Sequence, residues 1–184
     1  MKLFSFFGQL FLARILFPSD FGTYVIIVFL VNFFSLFSDL GFSWATIQKK
    51  EMPTQKNLST IFFLRLILSI TLVIVIYFLA PFVKLIYHNF GQSHVMMLRI
   101  FALTLIFAAL RSVSVSLLER KLKYREISFI DIYGTVVYQF CAVILAIFHF
   151  GVWSFIYAVL FKEAVELIFA FYYEKWTPSK KILK

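Results

Sequence analysis

The sequence predicts an all-α polytopic membrane protein with about six transmembrane helices, and three observations predict it. Of the 184 residues, 62% are hydrophobic, 26 are Phe, and the mean hydropathy is +0.91; soluble domains sit at roughly half apolar. The apolar residues are gathered into blocks close to the roughly 20 residues a helix needs to cross a bilayer. The basic residues fall between those blocks and mostly in alternate loops, the bias that membrane topology imposes.

That third observation also explains the net charge of +9. In a soluble protein such a charge points to nucleic acid, but here no basic and aromatic stripe lies on a soluble face, so a nucleic-acid partner is not expected. Cys141 is the one cysteine, which leaves no intrachain disulfide and no cysteine metal motif. His88, His94 and His149 fall in loops without acidic or cysteine partners, so no metal site is expected. No Gly-rich phosphate loop, HExxH or GxSxG is present, and no loop could hold a nucleotide-sugar domain. Neither an enzyme nor a cofactor is expected.

The first span, residues 1–16, is apolar but short, and reads as the back of a helix. Its charged start at Lys2 also fits a signal peptide, although no small-residue cleavage site precedes Pro18. Pro18-Ser19-Asp20 is a turn, with Ser19 or Asp20 placed to cap the next helix. Span two covers about 21–37; Ser38-Asp39-Leu40-Gly41 interrupts it, and 42–48 resumes a weakly amphipathic turn. Span three, about 61–79, is stopped by Pro81. Span four covers about 95–118, span five about 127–148 and span six about 152–173. The loop ERKLKYRE (119–126) is tight and basic, and His149-Phe150-Gly151 is a minimal turn. Residues 1–173 thus form one transmembrane lobe, and 174–184 a basic cytoplasmic tail.

With the N-terminus inside, twelve basic residues share one side (Lys2, Lys49, Lys50, Lys56, Arg120, Lys121, Lys123, Arg125, Lys175, Lys180, Lys181, Lys184), against three on the other (Arg14, Lys84, Arg99). Both termini are therefore expected in the cytoplasm. Trp44, Tyr124, Tyr172 and Trp176 sit where an interfacial aromatic belt is expected.

Charges inside apolar spans cost about 2.5–3.5 kcal/mol each on insertion scales, so each needs a partner or a wet cavity. Asp39, Arg65, Arg111 and Asp131 should share one depth band near the cytoplasmic side. Two readings stand: Asp–Arg pairs between neighbouring helices, or a wet cationic vestibule that holds a pyrophosphate. In span six, Lys162 and Glu166 are spaced to pair with each other, while Glu163 or Glu166 could instead titrate and couple transport to protons.

Four stretches carry a resemblance: ARILFPSDFG (13–22), FSDLGFSWATIQKKE (37–51), residues 98–126 ending in LLERKLKYRE, and FGVWSFIYAVL (150–160). In this order and spacing they resemble the Wzx-type polysaccharide flippases of the multidrug/oligosaccharidyl-lipid/polysaccharide exporter superfamily. The resemblance implies a bacterial inner-membrane transporter of 12–14 helices in two lobes, which exports undecaprenyl-pyrophosphate-linked oligosaccharide for cell-surface polysaccharide or lipopolysaccharide. It implies basic residues in a central cavity that hold the lipid pyrophosphate, and by position, charge and depth Arg14, Arg65 and Arg111 are the candidates here; Asp39, Asp131, Lys162, Glu163 and Glu166 are read from the spans themselves as intramembrane charge partners. About six spans match one N-terminal lobe, so a second lobe or a homodimer is an expected partner, with membrane lipids around both. The alternatives are a non-transporting assembly subunit of an envelope-polysaccharide system and a lobe of a multidrug-extrusion antiporter.

Overall fold

The computed structural model describes residues 2–39, 54–87 and 90–178. These form α1 (Lys2–Ile15), α2 (Pro18–Asp39), α3 (Gln55–Leu79), a 3-10 turn (Ala80–Phe82), α4 (Val83–Ile86), α5 (Gln92–Phe101), α6 (Thr104–Arg120), α7 (Tyr124–Ile147) and α8 (Trp153–Tyr173). The described residues contain no strand. The expected turn at 42–48, Trp44, Lys49, Lys50, His88 and the basic residues of 179–184 lie outside the described residues.

Four of the predicted spans are long and apolar enough to cross a membrane: α2, α3 with its continuation to Leu85, α5 with α6, and α7. The other two differ for separate reasons. α1 has 14 residues, which at about 1.5 Å each falls short of a bilayer's hydrocarbon. α8 has 21 residues, but every membrane-length stretch of it contains Lys162, Glu163 and Glu166. The outward faces carry Phe29, Leu36, Ile67, Phe78, Phe140 and Ile168, all exposed, as lipid-facing side chains must be.

Local chemistry sets the boundaries. Pro18 begins α2 rather than preceding it, since the first turn needs no amide donor there. Asp20 caps backward: its Oδ2 accepts from the Phe17 N–H at 3.2 Å. Thr54 caps α3, its hydroxyl accepting from the Asn57 N–H at 3.3 Å. Pro81 does not stop the chain outright but converts it to the 3-10 turn. Having no N–H, Pro81 leaves the carbonyl of Tyr77 without its helical donor. Arg99 of α5 supplies one, its Nε donating to Tyr77 O at 3.2 Å while its guanidinium lies 3.9 Å from the Tyr77 ring centre.

Span four is broken at Ala102-Leu103, although no Pro or Gly is there. The Thr104 hydroxyl donates to Phe101 O at 2.8 Å, and Leu103 N–H bonds Ile100 O at 3.1 Å in a tighter turn. A side chain that competes for backbone carbonyls in this way loosens a helix.

α6 is the hub, touching α2, α3, α7 and α8. Of the four long apolar segments, α5 with α6 is the most buried, and α2 and α3 are the least. α7 and α8 make the most extensive helix pair. At one end, Ile27, Val31, Ile76, Phe101 and Ile156 pack together, and Leu12 and Leu16 of α1 pack on Ala142, Ala146 and Phe155. At the other end, Leu58 and Phe62 pack on Val113 and Leu117, and Leu118 packs on Ile130 and Ala170. This second end, where α3 and α7 begin and α6 and α8 finish, carries Lys56, Arg120, Lys121, Lys123, Arg125 and Lys175 and is here termed the basic end.

The α7–α8 turn forces His149 to φ 61°, a left-handed conformation that costs an L-residue roughly 1–2 kcal/mol. Phe150 N–H then reaches Leu145 O at 3.2 Å, closing the helix end. His149→Gly should therefore raise stability by roughly 0.5–1 kcal/mol, and His149→Val should lower it. Thermal unfolding in detergent micelles checks both signs.

Candidate functional site

α6 is polar along one side because Ser112 and Ser116 recur at four-residue spacing after Ala108, a helical period that stacks small residues on one face. The Ser112 hydroxyl is satisfied by Ala109 O at 2.7 Å. Small side chains leave room, and a cavity of about 850 Å³ lies against this face at the basic end. Arg65 of α3, Ile127, Ile130 and Asp131 of α7, and Glu166 of α8 line it with Arg111 of α6. Glu119, Arg120, Leu122 and Tyr124 extend the lining to the α6–α7 turn.

Arg111 organises the inner wall. Its Nη2 lies 3.2 Å from Glu163 Oε2, and its Nη1 pairs directly with Glu166 Oε2. Lys162 Nζ lies 3.6 Å from the other Glu166 oxygen. The Glu166 side chain is only 5% exposed. A carboxylate so buried is tolerated when cations and hydrogen bonds surround it. Two acids and two bases make this cluster formally neutral.

Gly134 makes the arrangement fit. A Cβ at this position of α7 would overlap Glu166, with the carboxylate Oε1 closest and Cγ at 2.6 Å. The missing side chain lets α7 and α8 approach while the Glu166 carboxylate passes between them toward Arg111.

Of the four residues expected at one depth, Arg65, Arg111 and Asp131 line one cavity. Asp39 ends α2 next to Ser38, whose hydroxyl meets that of Ser69 at 2.7 Å, one turn along α3 from Arg65; the Asp39 side chain lies outside what is described. Arg14 is not brought to the cavity. It is exposed in the last turn of α1, at the end opposite the basic one. The expected Lys162–Glu166 pair exists, but Arg111 is the principal partner of both acids. Asp131 forms no ion pair among the described residues.

Among the described residues the cavity lining is balanced in charge rather than cationic. Three bases (Arg65, Arg111, Arg120) face three acids (Glu119, Asp131, Glu166), and Arg111 is committed to carboxylates. Sequence reasoning missed Gly134, Glu119, Arg120 and Tyr124 as site residues. The alternation of serines before ERKLKYRE was a signal for a polar face on α6; nothing local marked Gly134, whose role depends on a residue 32 positions later.

Trp176 also departs from expectation. It is 6% exposed, packed among Leu58, Phe62, Val113 and Leu117 rather than standing in an interfacial belt. Its indole finds a hydrogen-bond acceptor on α3, which removes the reason for a Trp to seek the headgroup region.

Fold and site together define a polytopic helical membrane protein with a charge-lined cavity at one end. The chain belongs to the polysaccharide biosynthesis protein family, whose model matches residues 11–183. It is similar to the teichuronic acid biosynthesis protein TuaB of Bacillus subtilis (strain 168), with 24% identity over 144 residues, or 77% of this chain. The chain spans only 29% of that relative's length. No solved structure matches it.

Gly134→Leu should cost about 1–3 kcal/mol through overpacking and displace the Glu166 carboxylate, whereas Gly134→Ser should cost less. Unfolding in mixed micelles gives the energies, and isotope-edited infrared bands of the Glu carboxylates report the displacement.

Proposed function

We propose that the chain forms the N-terminal lobe of a flippase that moves a lipid-linked oligosaccharide across the bacterial inner membrane during cell-surface polysaccharide synthesis. The observation that carries this reading is a cavity lined by six charged side chains inside a membrane helix bundle, in a chain of the polysaccharide biosynthesis family. Ionisable groups are expensive in a membrane and are retained where something polar passes. A polar saccharide and its phosphate groups need such a path, and the basic end would face the cytoplasm by the positive-inside rule.

The residues divide the work. Arg65 and Arg120 also line the cavity, and their guanidinium groups would meet the anionic part of the carrier. Asp131 and the serines of α6 would accept and donate hydrogen bonds to sugar hydroxyls. Arg111 with Glu163 and Glu166 would form the fixed wall. The lobe moves its substrate without changing a covalent bond, and a second lobe or a second copy would complete the pathway, as in transporters built from repeated halves.

The test is export in cells that carry the native locus intact, read as lipid-linked oligosaccharide retained in the inner leaflet. Arg65→Gln with Arg120→Gln should cut export by about tenfold or more, the scale expected when a charge-assisted phosphate contact is lost. Normal export with the protein present at normal abundance would overturn the reading.

A further inference from the structure

The residues after α8 leave the helix and cross the basic end of the bundle. Glu174 ends α8 in an extended conformation (φ −131°, ψ 96°). Both of its carboxylate oxygens accept from Lys121 Nζ at 2.7 Å. Two residues on, the Trp176 indole lies 5.4 Å from the Phe62 ring, centre to centre, and its Nε1–H donates to Gln55 Oε1 at 2.9 Å. Gln55 returns a bond, its Nε2 donating to Thr177 O at 2.6 Å. Four residues thus join α8 to the first turn of α3 and to the α6–α7 turn.

The attachment point matters because of what flanks it. Lys121 sits between Arg120 and Leu122, and both line the cavity. Leu122 has a left-handed φ of 54°, a conformation that surrounding contacts must hold in place for a non-glycine residue. Leu58 and Phe62, which cover the indole, lie on α3, the helix that brings Arg65 to the opposite cavity wall.

We infer that residues 174–177 form a strap that sets the width of the cavity mouth, and that its release lets the α6–α7 turn and the start of α3 move apart. An extended segment held by one aromatic plug, one ion pair and two side-chain hydrogen bonds belongs to the low-stability end of a structure, where local opening occurs without global unfolding. The strap acts on access to the cavity and holds whether or not the cavity serves transport.

The test reads access directly. With Cys141→Ser as background, a cysteine is placed on the buried cavity face by Ser116→Cys, and its labelling by a membrane-impermeant maleimide is timed in lipid nanodiscs. Trp176→Ala and, separately, Glu174→Gln should raise the rate by about tenfold and about threefold, since an aromatic plug contributes more than a partly exposed ion pair. The swap of Lys121→Glu with Glu174→Lys should return the rate toward that of the parent. Ser154→Cys, buried on α8 at the other end, serves as the control. Unchanged labelling at position 116 in both strap variants overturns the inference, as does equal acceleration at position 154, which would signify general loosening.

Discussion

The structure depends on the ion cluster that Arg111 makes with Glu163 and Glu166. α8 carries three charges in its middle, so it cannot turn that face to lipid. It must present the face to another helix that offers a cation, and α6 does so with Arg111. The requirement fixes the rotation of α8, which places Gly134 of α7 against Glu166 and lets the two helices pack closely. Taking one partner from such a buried pair leaves an uncompensated charge, at a cost of about 3–5 kcal/mol.

The two ends of the bundle then follow different rules. Away from the basic end, apolar clusters on α1, α2, α5, α7 and α8 close the structure, and the polar contacts there repair the backbone, as Arg99 does at the carbonyl freed by Pro81. At the basic end, serines and glycine replace bulky residues, the helices separate, and charged groups line the space that remains. The wall made by Arg111 stays neutral, so the cavity gains polarity without an unpaired charge at its deepest point.

Much of the fold was legible because bilayer physics writes it into composition. Four of the spans, and the placing of Arg65, Arg111 and Asp131 around one cavity, follow from apolar length and alternating direction alone. The features that were not legible depend on partners distant in sequence. Arg111 was read as a ligand residue because its charge was visible while its angular position relative to Glu163 and Glu166 was not. Arg14 was grouped with it by charge, yet its place at the far end of α1 separates them. The break at Ala102-Leu103 arises from a threonine hydroxyl rather than from Pro or Gly, and Trp176 resembled an interfacial residue until its partner Gln55 came within reach through the fold.

The most direct measurement is a double-mutant cycle between Arg111→Met and Glu166→Gln, followed by unfolding in mixed micelles. Each single change should cost about 3 kcal/mol and the pair at least about 2 kcal/mol less than the sum, because the double variant no longer holds the buried Glu166 carboxylate that Arg111→Met alone would strand, and Glu163 keeps Lys162 as a neighbouring cation. Costs that add to within about 0.5 kcal/mol would mean that the two residues do not depend on each other, and would contradict the central place given to this cluster.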